Sequence, residues 1–232
     1  GSAANGIYAI SYKLPTLIST LTGIFNQAWG YSAIRENGAE DESEYNNGVF
    51  KSLISIAMLM GIGLITIMKP FLSIYVEKSY YVAWKYTPFL VIGCVYLTLG
   101  TFMSTTYNVH KDSKGFLISA TIGAVVNIGL NFLLIPKFRV YGAAIATCIS
   151  YIVVFLFRYF HTRKYIRFNI KNNEFIMGTI LLLSSSLIMF IDNYVGITIQ
   201  IILLVIAMII YANYWTTILR GIINKFVKRK VG

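Results

Sequence analysis

Seven stretches of the chain contain no Asp, Glu, Lys or Arg: residues 14–34, 52–68, 86–109, 115–136, 140–157, 175–191 and 193–219. A helix needs about 20 apolar residues to cross the hydrocarbon of a bilayer, within a range of roughly 17–25. Each stretch is long enough. Hydrocarbon offers no water to satisfy an open backbone, so only helices and closed barrels can span it. A barrel strand takes about 9–11 residues in strict alternation; these windows are longer and do not alternate. The expected fold class is therefore all-α integral membrane, with seven transmembrane helices. Composition agrees where it bears on the argument. Charged residues are 12% of the 232, against about 25% in a soluble domain, too few to cover a globular surface.

Lys and Arg then report topology. The net charge of +11 would suggest nucleic acid for a soluble protein, but beside membrane helices it marks their ends, and no nucleic-acid partner is expected. If seven spans alternate, one side holds Lys69, Lys78, Lys85, Lys137 and Arg139. The other holds fourteen, including Arg35, Lys51, Lys111, Lys114, the Arg158–Lys171 group and the Arg220–Lys230 tail. Fourteen against five places that side, and the C-terminus, in the cytoplasm, with Gly1 outside. Tyr75, Tyr80, Tyr81, Trp84 and Tyr86 cluster where an outer aromatic belt belongs, and Tyr159, Phe160 and Tyr165 at the inner one. Arg158 reads as an anchor at the inner boundary. The two longer connections, the acidic loop Arg35–Gly48 (Glu36, Glu40, Asp41, Glu42, Glu44) and the basic stretch Arg158–Lys171, are too short and too polar for separate domains.

Several windows carry polar residues on one face. Lys13, Thr16, Thr20, Gly23 and Gln27 recur at spacings of three and four residues; Cys94, Thr98, Thr101, Thr105 and Asn108 repeat the pattern, followed by Ser119, Gly123, Asn127 and Asn131, then Gly142, Ala146 and Ser150. Small and hydroxylated residues can be packing seams between helices. The first two faces are rich enough in hydroxyls to line a water-filled cavity. Lys13 falls about two turns inside the first helix, where a charge either faces a cavity or snorkels to the headgroups; both readings stand. Lys85, beside Trp84, reads as snorkelling.

No window contains Asp or Glu, so no proton relay is visible. No catalytic, metal-binding or cofactor-binding constellation is found. Cys94 and Cys148 read as small core residues, and His110 and His161, at helix ends, as solvated loop histidines.

Three segments carry a family resemblance. GIYAISYKLPTLISTLTGIFNQAWGYSAIRE at 6–36 resembles the start of the second lobe of Wzx-type polysaccharide and O-antigen flippases; YYVAWKYTPFLVIG at 80–93 and NIGLNFLLIPKFRVYGAAIATCISYIV at 127–153 resemble later helices of that family, in the same order. The resemblance covers roughly residues 1–165 and implies the superfamily of multidrug and oligosaccharidyl-lipid exporters. That fold has two six-helix lobes around a central cavity, often with two extra C-terminal helices. Residues 1–165 would be five helices of the second lobe, and 166–232 the extra pair and a basic cytoplasmic tail; the N-terminal lobe would be a partner lying before Gly1. The implied function is flipping undecaprenyl-diphosphate-linked oligosaccharide from the cytoplasmic to the outer leaflet of a bacterial inner membrane, for O-antigen, lipopolysaccharide or other polysaccharide biosynthesis. Alternating access needs no covalent chemistry and no cofactor. Lys13 would attract the diphosphate, and Thr16, Thr20, Gln27, Thr98, Thr101, Thr105 and Asn127 would meet sugar groups. The family usually has Gly at the position of Arg139, after the LIP segment.

Other classes fit less well. A multidrug exporter of the same superfamily is the nearest alternative. A membrane polysaccharide polymerase or ligase needs a large outer loop, and the outer connections are only about 69–80, 137–139 and 192–195. A retinal protein needs a Lys in its last helix, and 193–219 has none.

Overall fold

A computed structural model describes residues 2–35, 38, 42–170 and 173–217. Glu36, Glu40 and Asp41 of the acidic loop, Lys171 and the basic tail 220–232 lie outside the described residues. Within the described residues, every charge-free window lies largely on helix. In chain order these are α1 (Ser2–Lys13), α2 (Thr16–Arg35), α3 (Glu42–Tyr75), α4 (Thr87–Val109), α5 (Ser113–Phe138), α6 (Val140–His161), α7 (Asn173–Ile188) and α8 (Tyr194–Ile210), with short 3₁₀ helices at Lys78–Lys85 and Thr162–Lys164. No strand occurs among the described residues. Four of the helices, α3 to α6, are long and apolar enough to cross a membrane. α7 and α8 are apolar but shorter, with 16 and 17 residues.

The structure corrects the sequence reading at the first helix. Lys13 is the last residue of α1 and Thr16 the first of α2, with a turn at Leu14–Pro15 between them. A proline ring clashes with the carbonyl four residues back and offers no N–H, so it interrupts a helix. Lys13 is thus at a break rather than within a continuous helix.

α4 is the centre of the bundle, packed against α2, α3 and α6. Between helices in lipid there is no hydrophobic drive, because acyl chains are as apolar as leucine; close packing and interhelical hydrogen bonds must hold them. α4 meets this need with glycines two turns apart. A Cβ placed on Gly93 would lie 3.1 Å from the Cys148 Cα, and one on Gly100 3.3 Å from the Phe155 Cα. Cys148 and Phe155 are themselves two turns apart on α6, so one face of each helix forms the seam. Cys94 and Cys148 are both buried, as the sequence suggests. At the end of the bundle near Phe168, Trp29 stacks on Phe102 at 3.9 Å and Phe50 meets Phe102 at 5.3 Å and Phe168 at 5.2 Å, which ties α2, α3 and α4 together.

The α7–α8 hairpin is fastened to α3 along its length. At one end Lys51 lies 3.9 Å from Glu174 of α7, and in the segment just before α7 Asn47 Nδ2 donates to the Arg167 carbonyl at 3.1 Å while the Asn169 N–H donates to Asn47 Oδ1 at 2.7 Å. In the middle, Ser185 Oγ donates to Gln200 Oε1 at 2.8 Å, Gln200 Nε2 to the Ser185 carbonyl at 2.7 Å, and Thr66 Oγ1 to Gln200 Oε1 at 3.3 Å. At the far end Lys69 pairs with Asp192 at 3.0 Å, its ammonium 4.2 Å from the Trp84 ring.

α5 packs chiefly on α6 and buries only Gly115, Ser119 and Gly123. Its start is capped by Asp112, which accepts from the Gly115 N–H at 2.8 Å, from Lys164 at 2.9 Å and from the Tyr165 hydroxyl at 3.1 Å. Its end is a one-residue turn, Arg139, at φ 51° and ψ −121°. That region suits glycine, and a side chain there costs roughly 1–3 kcal/mol. The arginine therefore occupies a conformation suited to glycine.

Candidate functional site

Two polar regions emerge. The first surrounds the α1–α2 break. Lys13 is exposed, and its Nζ donates to the Tyr75 hydroxyl at 2.9 Å, 5.4 Å from the ring centre. Ile10, Leu14, Leu17, Phe71 and Leu72 complete a small pocket of about 170 Å³ around this pair. Thr16 Oγ1 donates to the Lys13 carbonyl at 2.7 Å, and Thr20 Oγ1 to the Thr16 carbonyl at 2.9 Å. These bonds to nearby backbone carbonyls, the first across the break, spare the hydroxyls the cost of being unpaired. Thr20 and Gln27 on α2, and Thr101 on α4, are exposed. Thr105 is half-buried, with its methyl 3.7 Å from where a Gly30 Cβ would lie. Thr98 points into the seam between α2 and α4, where it shares a hydrogen bond of 3.1 Å with Thr22 and is 2% exposed. The expected stripes therefore divide, with Thr98 on a packing interface and Lys13, Thr20, Gln27 and Thr101 on open surface.

The second region is a cavity of about 500 Å³ between α1, α5 and α6, with Leu97 of α4 in its wall. Asn127, expected from the sequence, lines it; its Nδ2 donates to Ser150 Oγ at 3.3 Å and its Oδ1 accepts from Asn131 at 3.0 Å. Tyr8 and Thr147 share a hydrogen bond of 2.9 Å, and Tyr12 and Tyr151 one of 2.7 Å.

Sequence reasoning missed Arg158, which lines the same cavity. It is buried between helices rather than open at the end of α6. The side chain is 6% exposed, with Nε donating to Ser119 Oγ at 3.1 Å and Nη1 to the Gly100 carbonyl at 3.1 Å. The signal was available: Thr147, Ser150, Tyr151, Val154 and Arg158 recur at helical spacing, so the arginine continues a polar face into α6. Among the described residues no group of His, Cys, Asp or Glu could hold a metal.

Helices of membrane-crossing length with cations set among hydroxyls define a polytopic membrane protein that can accommodate a polar group beside its apolar span. Residues 92–224, more than half of the chain, match the family model described as Lipid II flippase MurJ, and the chain belongs to that family. Its members flip lipid-linked precursors across the membrane and are transporters, not enzymes. No curated protein and no solved structure matches the chain.

Proposed function

We propose that this protein carries an undecaprenyl-diphosphate-linked saccharide from the cytoplasmic to the outer leaflet of a bacterial inner membrane. Membership of the flippase family over residues 92–224 carries the reading. The family description points to lipid II, a peptidoglycan precursor, and the motifs at 6–36, 80–93 and 127–153 resemble flippases of polysaccharide precursors. Both cargoes join a diphosphate to a hydroxylated glycan, so the same surface serves either. In this reading the helices make seven spans with a cytoplasmic C-terminus. Residues 1–165 belong to the second of two lobes, and 166–232 are an additional pair with a tail.

Lys13 is the cation that meets the diphosphate. It is the last residue of α1, separated by two residues from α2, whose first N–H groups give that end a partial positive charge, and broken helices of this kind present their positive ends to anionic substrates in transporters. Thr16, Thr20 and Gln27 continue along α2, and Thr101 and Thr105 face the same side from α4; these offer bonds to sugar hydroxyls.

The test is export by the full-length protein. Proteoliposomes loaded with fluorescent lipid II, or with an undecaprenyl-diphosphate oligosaccharide, should show protein-dependent transfer of one of them to the opposite leaflet. Transfer of neither would overturn the proposed function. Lys13→Ala should abolish transfer with normal insertion, and Lys13→Arg should retain part of it. Normal transfer by Lys13→Ala would assign Lys13 to the headgroup interface.

A further inference from the structure

The cavity beside Arg158 has the makings of a second binding site, which does not depend on the role of Lys13. Nε and Nη1 of the guanidinium are engaged by neutral groups, and Nη2 makes no hydrogen bond among the described residues. The side chain is 6% exposed, its guanidinium carbon 5.6 Å from the Phe116 ring, and no carboxylate pairs with it among the described residues. A cation taken out of water without a counter-charge is strongly disfavoured, and ionisable groups within a membrane span are usually there for function. The missing negative charge has room beside it, in a cavity of about 500 Å³.

The cavity also describes what should carry that charge. A bare inorganic ion would leave most of such a volume empty, and ligand pockets of about 300–1,000 Å³ hold whole organic groups. Beyond Arg158 the wall is hydroxylated, with the Tyr8–Thr147 and Tyr12–Tyr151 pairs and the Asn127–Ser150 bridge. A hydroxyl in such a pair still has lone pairs for a further partner. Tyr8 and Tyr12 are stacked at 6.0 Å. On the α5 side the wall is low, because Ala120 and Ala124 are small and exposed. A ligand from the bilayer can enter there.

We infer that the groove between α1, α5 and α6 binds a phosphate bearing a polyol, with Arg158 pairing the phosphate and the tyrosine, asparagine and serine groups meeting the polyol. A glycerol-phosphate lipid headgroup and a free polyol phosphate both have this chemistry. Purified full-length protein would be titrated with phosphatidylglycerol, with phosphatidylcholine and with soluble glycerol 3-phosphate, and binding read by native mass spectrometry. Phosphatidylglycerol should bind about tenfold more tightly than phosphatidylcholine, and Arg158→Gln should remove that preference, since bonds to a charged group are worth a factor of ten or more. Ala124→Phe plugs the groove from an exposed position and should remove it too, which keeps the test valid if Arg158→Gln fails to fold. Arg158-dependent binding of glycerol 3-phosphate would identify a site for soluble polyol phosphates as well; binding of phosphatidylglycerol alone would identify a lipid site. Absence of both, or binding unchanged by Ala124→Phe, overturns the inference.

Discussion

The α4–α6 seam allows a controlled test of what holds the bundle together. Gly93→Ala would set a Cβ 3.1 Å from the Cys148 Cα and 3.2 Å from Tyr151 Cδ2. Carbon atoms are comfortable at about 3.5–4.0 Å, and the nearer contact is backbone, which cannot rotate away. The helices must separate by roughly 0.5 Å or distort. Overpacking of this kind costs about 1–3 kcal/mol, and the better helix propensity of alanine returns roughly 0.5–1 kcal/mol. The expected net loss is about 1–2 kcal/mol. Gly129→Ala on α5 meets nothing within 4 Å, so it keeps the propensity gain alone. The two variants should differ by about 2 kcal/mol, close to thirtyfold in the unfolding equilibrium. The assay is detergent-induced unfolding of the purified protein in mixed micelles, followed by helical circular dichroism. Equal midpoints for the two variants would refute the argument that close backbone approach at Gly93 holds α4 to α6.

Arg139→Gly should raise stability by roughly 1 kcal/mol in the same assay, because it removes a side chain from a backbone conformation at φ 51°; a loss would mean the arginine makes contacts that outweigh its strain. Gln200→Leu should cost about 1 kcal/mol, near the upper part of the range for hydrogen bonds between membrane helices, and should loosen α7 from α8 as read by a cross-link between them. The Asp112 carboxyl is held at about 2, below its usual 3.8, by the Gly115 N–H first and by Lys164 next. A depressed carboxylate stabilises the fold above its unfolded value and loses that contribution as pH falls through the folded one. Hydrogen exchange at the start of α5 should therefore stay slow down to about pH 4 and quicken toward pH 2, and Asp112→Asn should flatten that dependence.

Much of the fold was legible because a membrane allows few solutions. Stretches free of charge had to be helical, and within the described residues each of them lies largely on helix. The α7–α8 contact at Ser185 and Gln200 could be anticipated as well, since those are among the few polar groups in two apolar segments. The site was harder to read. Helical spacing places Lys13 and Thr16 on one face only if the helix is continuous, and Pro15 ends that continuity. Thr98 and Thr101 share a stripe in sequence, yet one turns into α2 and the other outward, a difference set by the neighbour and not by the period. Arg158 was read as an anchor from its place at the end of a charge-free window, whereas its burial depends on Ser119 and Gly100 from two other helices.

The three levels at which α3 holds the α7–α8 hairpin have a mechanical consequence. Lys51, Thr66 and Lys69 span roughly 27 Å of α3 at about 1.5 Å per residue. A body pinned at one point can pivot, but one pinned near both ends and between cannot turn about its support. α3 and the hairpin therefore move as a single lever. The outer surface of that lever is apolar, with Ile180, Leu183 and Leu187 on α7 and Ile201, Val205 and Ile209 on α8 exposed. Any rocking of α3 must push acyl chains aside over this added width, so the viscosity of the surrounding lipid becomes a load on the motion. Membranes of stiffer lipid should slow it in proportion, and a chain shortened before α7 should feel that drag less.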